Sequence, residues 1–159
     1  MQLAVILPDI RSVHNVGSIF RTADAVGAKK IICCGYTPTP LDRFGRVRQD
    51  FAKVSLGAER TIVWARADTA EDAIRLLRDD GWRVFAVEQA ASAIPYHKIP
   101  KNEVHDMRIA LVMGNEVNGL MAPVLALADR VIEIPMRGAK ESLNVAVAFG
   151  IVAYGLAYA

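Results

Sequence analysis

Short apolar runs alternate along the chain with stretches patterned for helices. Residues 3–7, Leu-Ala-Val-Ile-Leu, predict a buried strand ended by Pro8 and Asp9. Val16, Ile19, Phe20, Ala23 and Val26 then fall at helical spacing, with Ser12 or Asn15 as a cap and Gly27 at the C-terminus. Residues 29–34 predict a second buried strand, so this opening portion reads as a βαβ unit with parallel strands. Residues 36–57 are polar and read as irregular. Further strands are predicted at 61–64, 82–87, 108–113 and 130–134. Helices are predicted at 70–80, where Asp68 and Thr69 offer caps, and at 122–128, where Pro123 stands in the first turn.

Pro135 ends the last strand by removing a backbone donor. After a polar loop at 137–141, Ser142 is the candidate N-cap and Asn144 falls in the first turn. No charged residue occurs from 145 to 159. That run is short of the ~20 apolar residues that span a bilayer. It is also too apolar all round for a surface helix. It predicts a helix buried on more than one side, with two polar side chains at its mouth.

Together these elements predict an α/β fold, a mostly parallel sheet with helices on both faces. Ligands in such sheets sit beyond the carboxyl ends of the strands. The loops after Val87, Met113 and Ile134 are therefore the expected site.

At 159 residues, 53% apolar and 23% charged, the chain is read as one domain, 1–159, with a core of its own. The net charge of +2 permits a nucleic-acid partner without demanding one. Cys33 and Cys34 are adjacent in an apolar run and read as packing residues of a reduced, cytoplasmic protein. The N-terminal apolar run is too short for a signal peptide, and no membrane association is expected. No G-x-G-x-x-G follows a strand. Gly114 and Gly119 have P-loop spacing, but Leu120 and Met121 stand where Lys-Ser/Thr belongs. G-x-S-x-G, H-E-x-x-H and C-x-x-C are absent, and His14, His97 and His105 lie far apart, so no metal is expected. Arg43, Arg46, Arg48 and Lys53, with Phe44 and Phe51 interleaved, could meet phosphates and a stacked base, or form a solvated loop.

Polar residues at element ends remain: Asn15, Arg21, Glu116, Ser142 and Asn144. Residues 15–27, Asn-Val-Gly-Ser-Ile-Phe-Arg-Thr-Ala-Asp-Ala-Val-Gly, resemble the first motif of the SpoU/TrmH-type RNA 2′-O-ribose methyltransferases of the SPOUT superfamily. Residues 111–120 resemble the second motif, and Ile134-Pro-Met136 with residues 142–148 resemble the third. The three motifs occur in order over almost the whole chain. The resemblance implies a C-terminal trefoil knot, an exception to the usual topology rules. It also implies S-adenosyl-L-methionine as cofactor and a homodimer with its active site near the subunit boundary. The charge-free helix at 145–159 suits such a dimer.

By the same resemblance, backbone groups around Val87, Gly114, Ile134, Met136 and Leu143 hold the cofactor. Spacing alone would make Val87, Ile134 and Leu143 ordinary core. Arg21 is the implied catalytic arginine. A guanidinium keeps its proton, so its expected role is to grip an RNA phosphate and stabilise the forming alkoxide. Asn15 orients Arg21 or the ribose, or caps its helix. Glu116 orders its loop or pairs with Arg21. Ser142 and Asn144 bind substrate or fix the cofactor loop. The implied activity is RNA 2′-O-ribose methylation, with tRNA the first expectation and rRNA the second. A non-catalytic RNA-binding knot protein, or a nucleotide-binding protein of other chemistry, are the alternatives.

Overall fold

The computed structural model describes residues 1–115 and 117–158, so the candidate residue Glu116 lies outside the described residues. The described strands are Gln2–Pro8 (β1), Lys30–Cys34 (β2), Val63–Ala67 (β3), Arg83–Val87 (β4), Ile94–Pro95 (β5), Arg108–Met113 (β6) and Arg130–Glu133 (β7). They form one sheet in the order β3-β2-β1-β6-β4-β7-β5, with every strand pairing parallel. Alternate residues of each strand serve opposite faces. Val5, Leu7, Ile31, Phe85 and Leu111 face helices Val13–Val26 (α1) and Val145–Ala157 (α6). Ala4, Ile6, Ile32, Val84 and Val112 face Ala70–Asp79 (α4, the fourth helix in the chain) and Ala122–Ala126 (α5). This is the expected α/β sandwich of helices on both faces.

The local signals of α1 act as the sequence suggests. Ser12 is its cap, its hydroxyl accepting from the Asn15 amide at 3.2 Å. Gly27, at φ 75°, closes the helix by donating its amide to Ala23 and Asp24 carbonyls.

The stretch after β2 is more ordered than its polar composition predicts. Leu41 and Val47 bridge antiparallel, and two short helices follow, Gln49–Ser55 (α2) and Ala58–Thr61 (α3). Only Phe51 and Ser55 of α2 are buried, too few positions to print a period on the sequence. Phe51 meets Phe20 edge-on at 5.1 Å. The close approach of α2 to α1 needs Gly17, where a Cβ would come within 2.8 Å of Val54 Cβ. Phe51 is therefore core and unavailable for stacking with a nucleic-acid base. The third strand starts two residues later than the apolar run at 61–64 suggests.

The start of α6 also differs. Ser142 lies in exposed coil, and the cap is Asn144, whose side-chain oxygen accepts from the amides of Ala146 and Val147 at 2.9 and 3.4 Å. Either residue is a good cap chemically; Asn144, extended at ψ 138°, is the one next to the first helical residue. The enclosure of α6 is partial. Phe149, Val152 and Ala153 are buried, and Tyr96 lies so close to Gly155 that a Cβ there would collide with its ring. Val147 and Tyr154 stay 51% and 40% exposed, so one flank of this apolar helix is open in the single chain.

Because β5 pairs with the outer side of β7, the connection from β4 to β5 passes across β7 before the chain returns to β6. A late strand lying within an earlier connection is what the implied trefoil knot requires. No helix among the described residues is long and apolar enough to cross a membrane.

Candidate active site

Three loops leave the carboxyl edge of β4, β6 and β7 and meet the start of α6 in a cleft with two adjoining lobes. Val87, Ser142, Leu143 and Ala148 line both lobes. Ile134 and Met136 line the first, and Gly114 and Asn144 the second. The lobes hold about 130 and 490 Å³, and the second is of a size suited to a small-molecule site. All five candidate cofactor residues thus border one cleft, together with Ser142 and Asn144.

Asn144 does more than cap. Its amide nitrogen donates to the Asn15 side-chain oxygen at 3.0 Å, across 129 positions of sequence. The first and third motifs are joined by this bond, and the Asn15 side chain serves it while Ser12 takes the capping role. Asn144→Ala should cost about 1 kcal/mol for the cap and lower the melting temperature by about 2–4 °C per kcal/mol. Asn144→Asp should keep the cap acceptor yet set a carboxylate oxygen against the Asn15 oxygen. Thermal melts of both variants check this: loss of stability in the alanine variant alone would leave the cap as the whole contribution.

Glu88 is the residue that sequence reasoning does not single out. Its carboxylate accepts from the Gln89 amide at 2.8 Å and from the Leu120 amide at 2.7 Å. Its oxygens sit directly against Gly114 and Gly119, where any Cβ would meet them. Two loops that line the cleft are pinned to one side chain. Asn115 shapes the same turn, its side-chain oxygen accepting from Val117 and Asn118 amides at 2.9 and 2.8 Å. The signal in sequence was the Gly114 and Gly119 pair; its purpose shows only when Glu88 lies between them.

Arg21 is elsewhere. At ~1.5 Å and ~100° per residue, it stands about 9 Å along α1 from Asn15 and turned well away from it. Exposed, it lines a groove with His14, Ser18 and Thr22 of α1, Lys53 of α2 and Tyr154 of α6. The cleft and this groove do not share a lining residue. Cys33 and Cys34 are buried, and burial pushes both thiols up to about 12, so neither offers a thiolate near neutral pH. Among the described residues no cluster of His, Cys, Asp or Glu could hold a metal ion.

The family description SpoU rRNA Methylase matches residues 2–154, nearly the whole chain. The chain belongs to the SpoU family. Its match to the 23S rRNA (guanosine-2′-O-)-methyltransferase RlmB of Salmonella typhi is 32% identical over 148 residues, covering 92% of this chain and 56% of that protein. The SpoU chain therefore spans about half the length of the curated relatives it matches. Among solved structures, an AdoMet-bound rRNA methyltransferase from Sinorhizobium meliloti superimposes with a TM-score of 0.85 at 34% identity, over 98% of this chain and 55% of that one. A protein solved to explain 2-OH methylation of C/U34 on tRNA gives 0.79 at 26% identity, over 98% and 93%. The parallel seven-stranded sheet of this SpoU chain is the fold these structures share, and membership implies the C-terminal knot.

Proposed function

We propose that this chain, acting as one domain over 1–159, is an S-adenosyl-L-methionine-dependent RNA 2′-O-ribose methyltransferase. The observation that carries the reading is the cleft between the three late loops, tied to α1 by the Asn15–Asn144 bond. The AdoMet-bound relative from S. meliloti supports the choice of cofactor.

The cleft suits that cofactor on its own chemistry. Val87, Ile134 and Leu143 offer apolar surface for a flat base. Among the described residues, the backbone of 136–143 makes no backbone–backbone hydrogen bond, which leaves its amides, and its carbonyls other than that of Glu141, available to a ligand. Gln89 holds that segment from outside by donating its side-chain amide to the Glu141 carbonyl. Once bound, the cofactor supplies an electrophilic sulfonium methyl.

The chain's own residues then have to align a ribose hydroxyl and stabilise its oxygen as the proton leaves. Asn15 and Asn144 fix the start of α1 against the cleft wall. Ser142, exposed at the rim of both lobes, is the hydroxyl assigned to substrate contact. Arg21 supplies a permanent positive charge for a phosphate and for the developing alkoxide. Since Arg21 does not line the cleft of its own chain, a second copy provides it. The open flank of α6, with Val147 and Tyr154, is the surface through which the copies pair, and Tyr154 also borders the Arg21 groove. No metal takes part in this scheme.

For the RNA, tRNA is the first reading, supported by likeness to the protein concerned with C/U34 of tRNA. The identity to rRNA methyltransferases favours rRNA as the second. Calorimetric titration with S-adenosylmethionine and light scattering at micromolar concentration test the proposal together. Heat of binding and a dimer mass are expected; no heat would favour a binding module without catalysis, and a monomer would remove the second copy's Arg21. Mass spectrometry of ribose-methylated nucleosides, from cells with and without the gene, then chooses between tRNA and rRNA.

A further inference from the structure

The polar loop after β2 presents an exposed aromatic ring between cations on a rigid support. Phe44 is 65% exposed, with the Arg43 and Arg46 guanidiniums 4.8 and 5.0 Å from its ring centre. Asp42 organises the tip: its carboxylate accepts from the Phe44 and Arg46 amides at 2.8 and 3.0 Å and from Arg46 Nε at 3.0 Å. Chiefly the Arg46 amide holds this carboxyl below its usual range, so it stays charged. The Leu41–Val47 bridge and the Arg48 amide donating to the Pro40 carbonyl close the base of the loop. A solvated loop needs no such bracing around an exposed phenyl ring.

The cations differ in their freedom. Arg46 is bound by Asp42 and Arg48 by Asp50 at 2.8 Å. Arg43 makes no ion pair among the described residues, and Arg66 donates only to the Gly35 carbonyl, at 3.2 Å. Arg43, Phe44 and Arg66 border one pocket with Tyr36, itself 57% exposed. This surface leaves the carboxyl end of β2, on the same edge of the sheet as the cleft. From β2 to β4 is three strand spacings, about 14 Å, so one strand of nucleic acid can cover both.

We propose that this loop is a docking surface for single-stranded RNA flanking the methylated nucleotide, with Phe44 stacking an unpaired base and Arg43 and Arg66 meeting its phosphates. The inference rests on the RNA reading above and names where the RNA lies. Aromatic stacking on bases is strong and tolerant of sequence, and guanidiniums share that role. A base can displace Arg43 from the ring, and the freed guanidinium then reaches a phosphate while Arg46 stays pinned by Asp42.

The test is fluorescence anisotropy of the full chain with a labelled mixed-sequence single-stranded oligoribonucleotide, with poly-glutamate as an anionic control. Phe44→Ala should weaken oligoribonucleotide binding about tenfold, and Phe44→Trp should retain it. Arg43→Ala should make the salt slope shallower by about 0.7 for one lost phosphate contact. Unchanged binding by Phe44→Ala, equal losses in the alanine and tryptophan variants, or equal affinity for poly-glutamate would each overturn the docking surface and leave the methyltransferase reading standing. Failure of the parent chain to bind any RNA would overturn both.

Discussion

Arg21→Ala should slow methyl transfer by at least about a hundredfold, the loss that follows removal of one preorganised donor to a developing oxyanion. Binding of S-adenosylmethionine should stay at the parent value, because the proposed partners of Arg21 are the RNA phosphate and the forming alkoxide, and no part of its own chain's cleft is lined by it. Arg21 is exposed on α1, so its truncation leaves the core intact. Arg21→Lys should fall between the two, since an ammonium keeps the charge and loses the planar fork that suits a phosphate. Single-turnover rates and calorimetry on the same preparations separate the effects. Equal loss of turnover and cofactor binding would contradict this placement of Arg21. On the proposed pairing, a mixture of Arg21→Ala chains with chains defective in the cleft should recover activity that neither has alone, because a mixed pair would contain one complete site.

Gly119→Ala should carry the larger structural penalty. Gly119 sits at φ +63°, where an L side chain costs ~1–2 kcal/mol. A Cβ there also collides with Glu88, whose carboxylate accepts from Gln89 and Leu120. Displacing it forfeits hydrogen bonds to a charged acceptor, ~1.5–3 kcal/mol each. A fall in melting temperature of roughly 8–30 °C is expected at 2–4 °C per kcal/mol if both bonds are lost. Because the loops after Val87 and Met113 separate together, affinity for S-adenosylmethionine should drop at least about tenfold, the equivalent of 1.4 kcal/mol. Adding Glu88→Ala to Gly119→Ala removes the collision partner, so the two losses should fall short of additive. Full additivity in melts, or unaltered cofactor affinity in Gly119→Ala, would show that the staple does not shape the cleft.

The buried strands β1, β2, β4 and β6 are legible in the sequence because they are covered on both faces and read as unbroken apolar runs. The edges of the sheet are harder. β3 is exposed along most of its length and carries Arg66, so the apolar run at 61–64 marks its place but not its bounds, and β5, two residues with a proline, prints no pattern. The short α2 escapes for a related reason, since its packing depends on a glycine of α1, far away in sequence. In the site, the three motifs mark the right loops, but the capping assignment slips from Asn144 to Ser142 because both residues are chemically suited. Glu88 is hidden because a glutamate after a strand is unremarkable until two glycines from another loop close over it.

The pairing of β5 with β7 sets an order for acquisition of the fold. Ile94 and Pro95 are synthesised well before Ile132 and Glu133, their partners, have left the ribosome. Until then the outer border of β4 stays uncovered and its following segment has nothing to zip against. The β1–β2 and β4–β6 pairs can form first, and β7 with α6 must then slot into a gap already framed by residues made earlier. Such distant pairings are slow to reach, so β7 and α6, which complete the cleft wall, are expected to dock after the β1–β2 and β4–β6 pairs have formed.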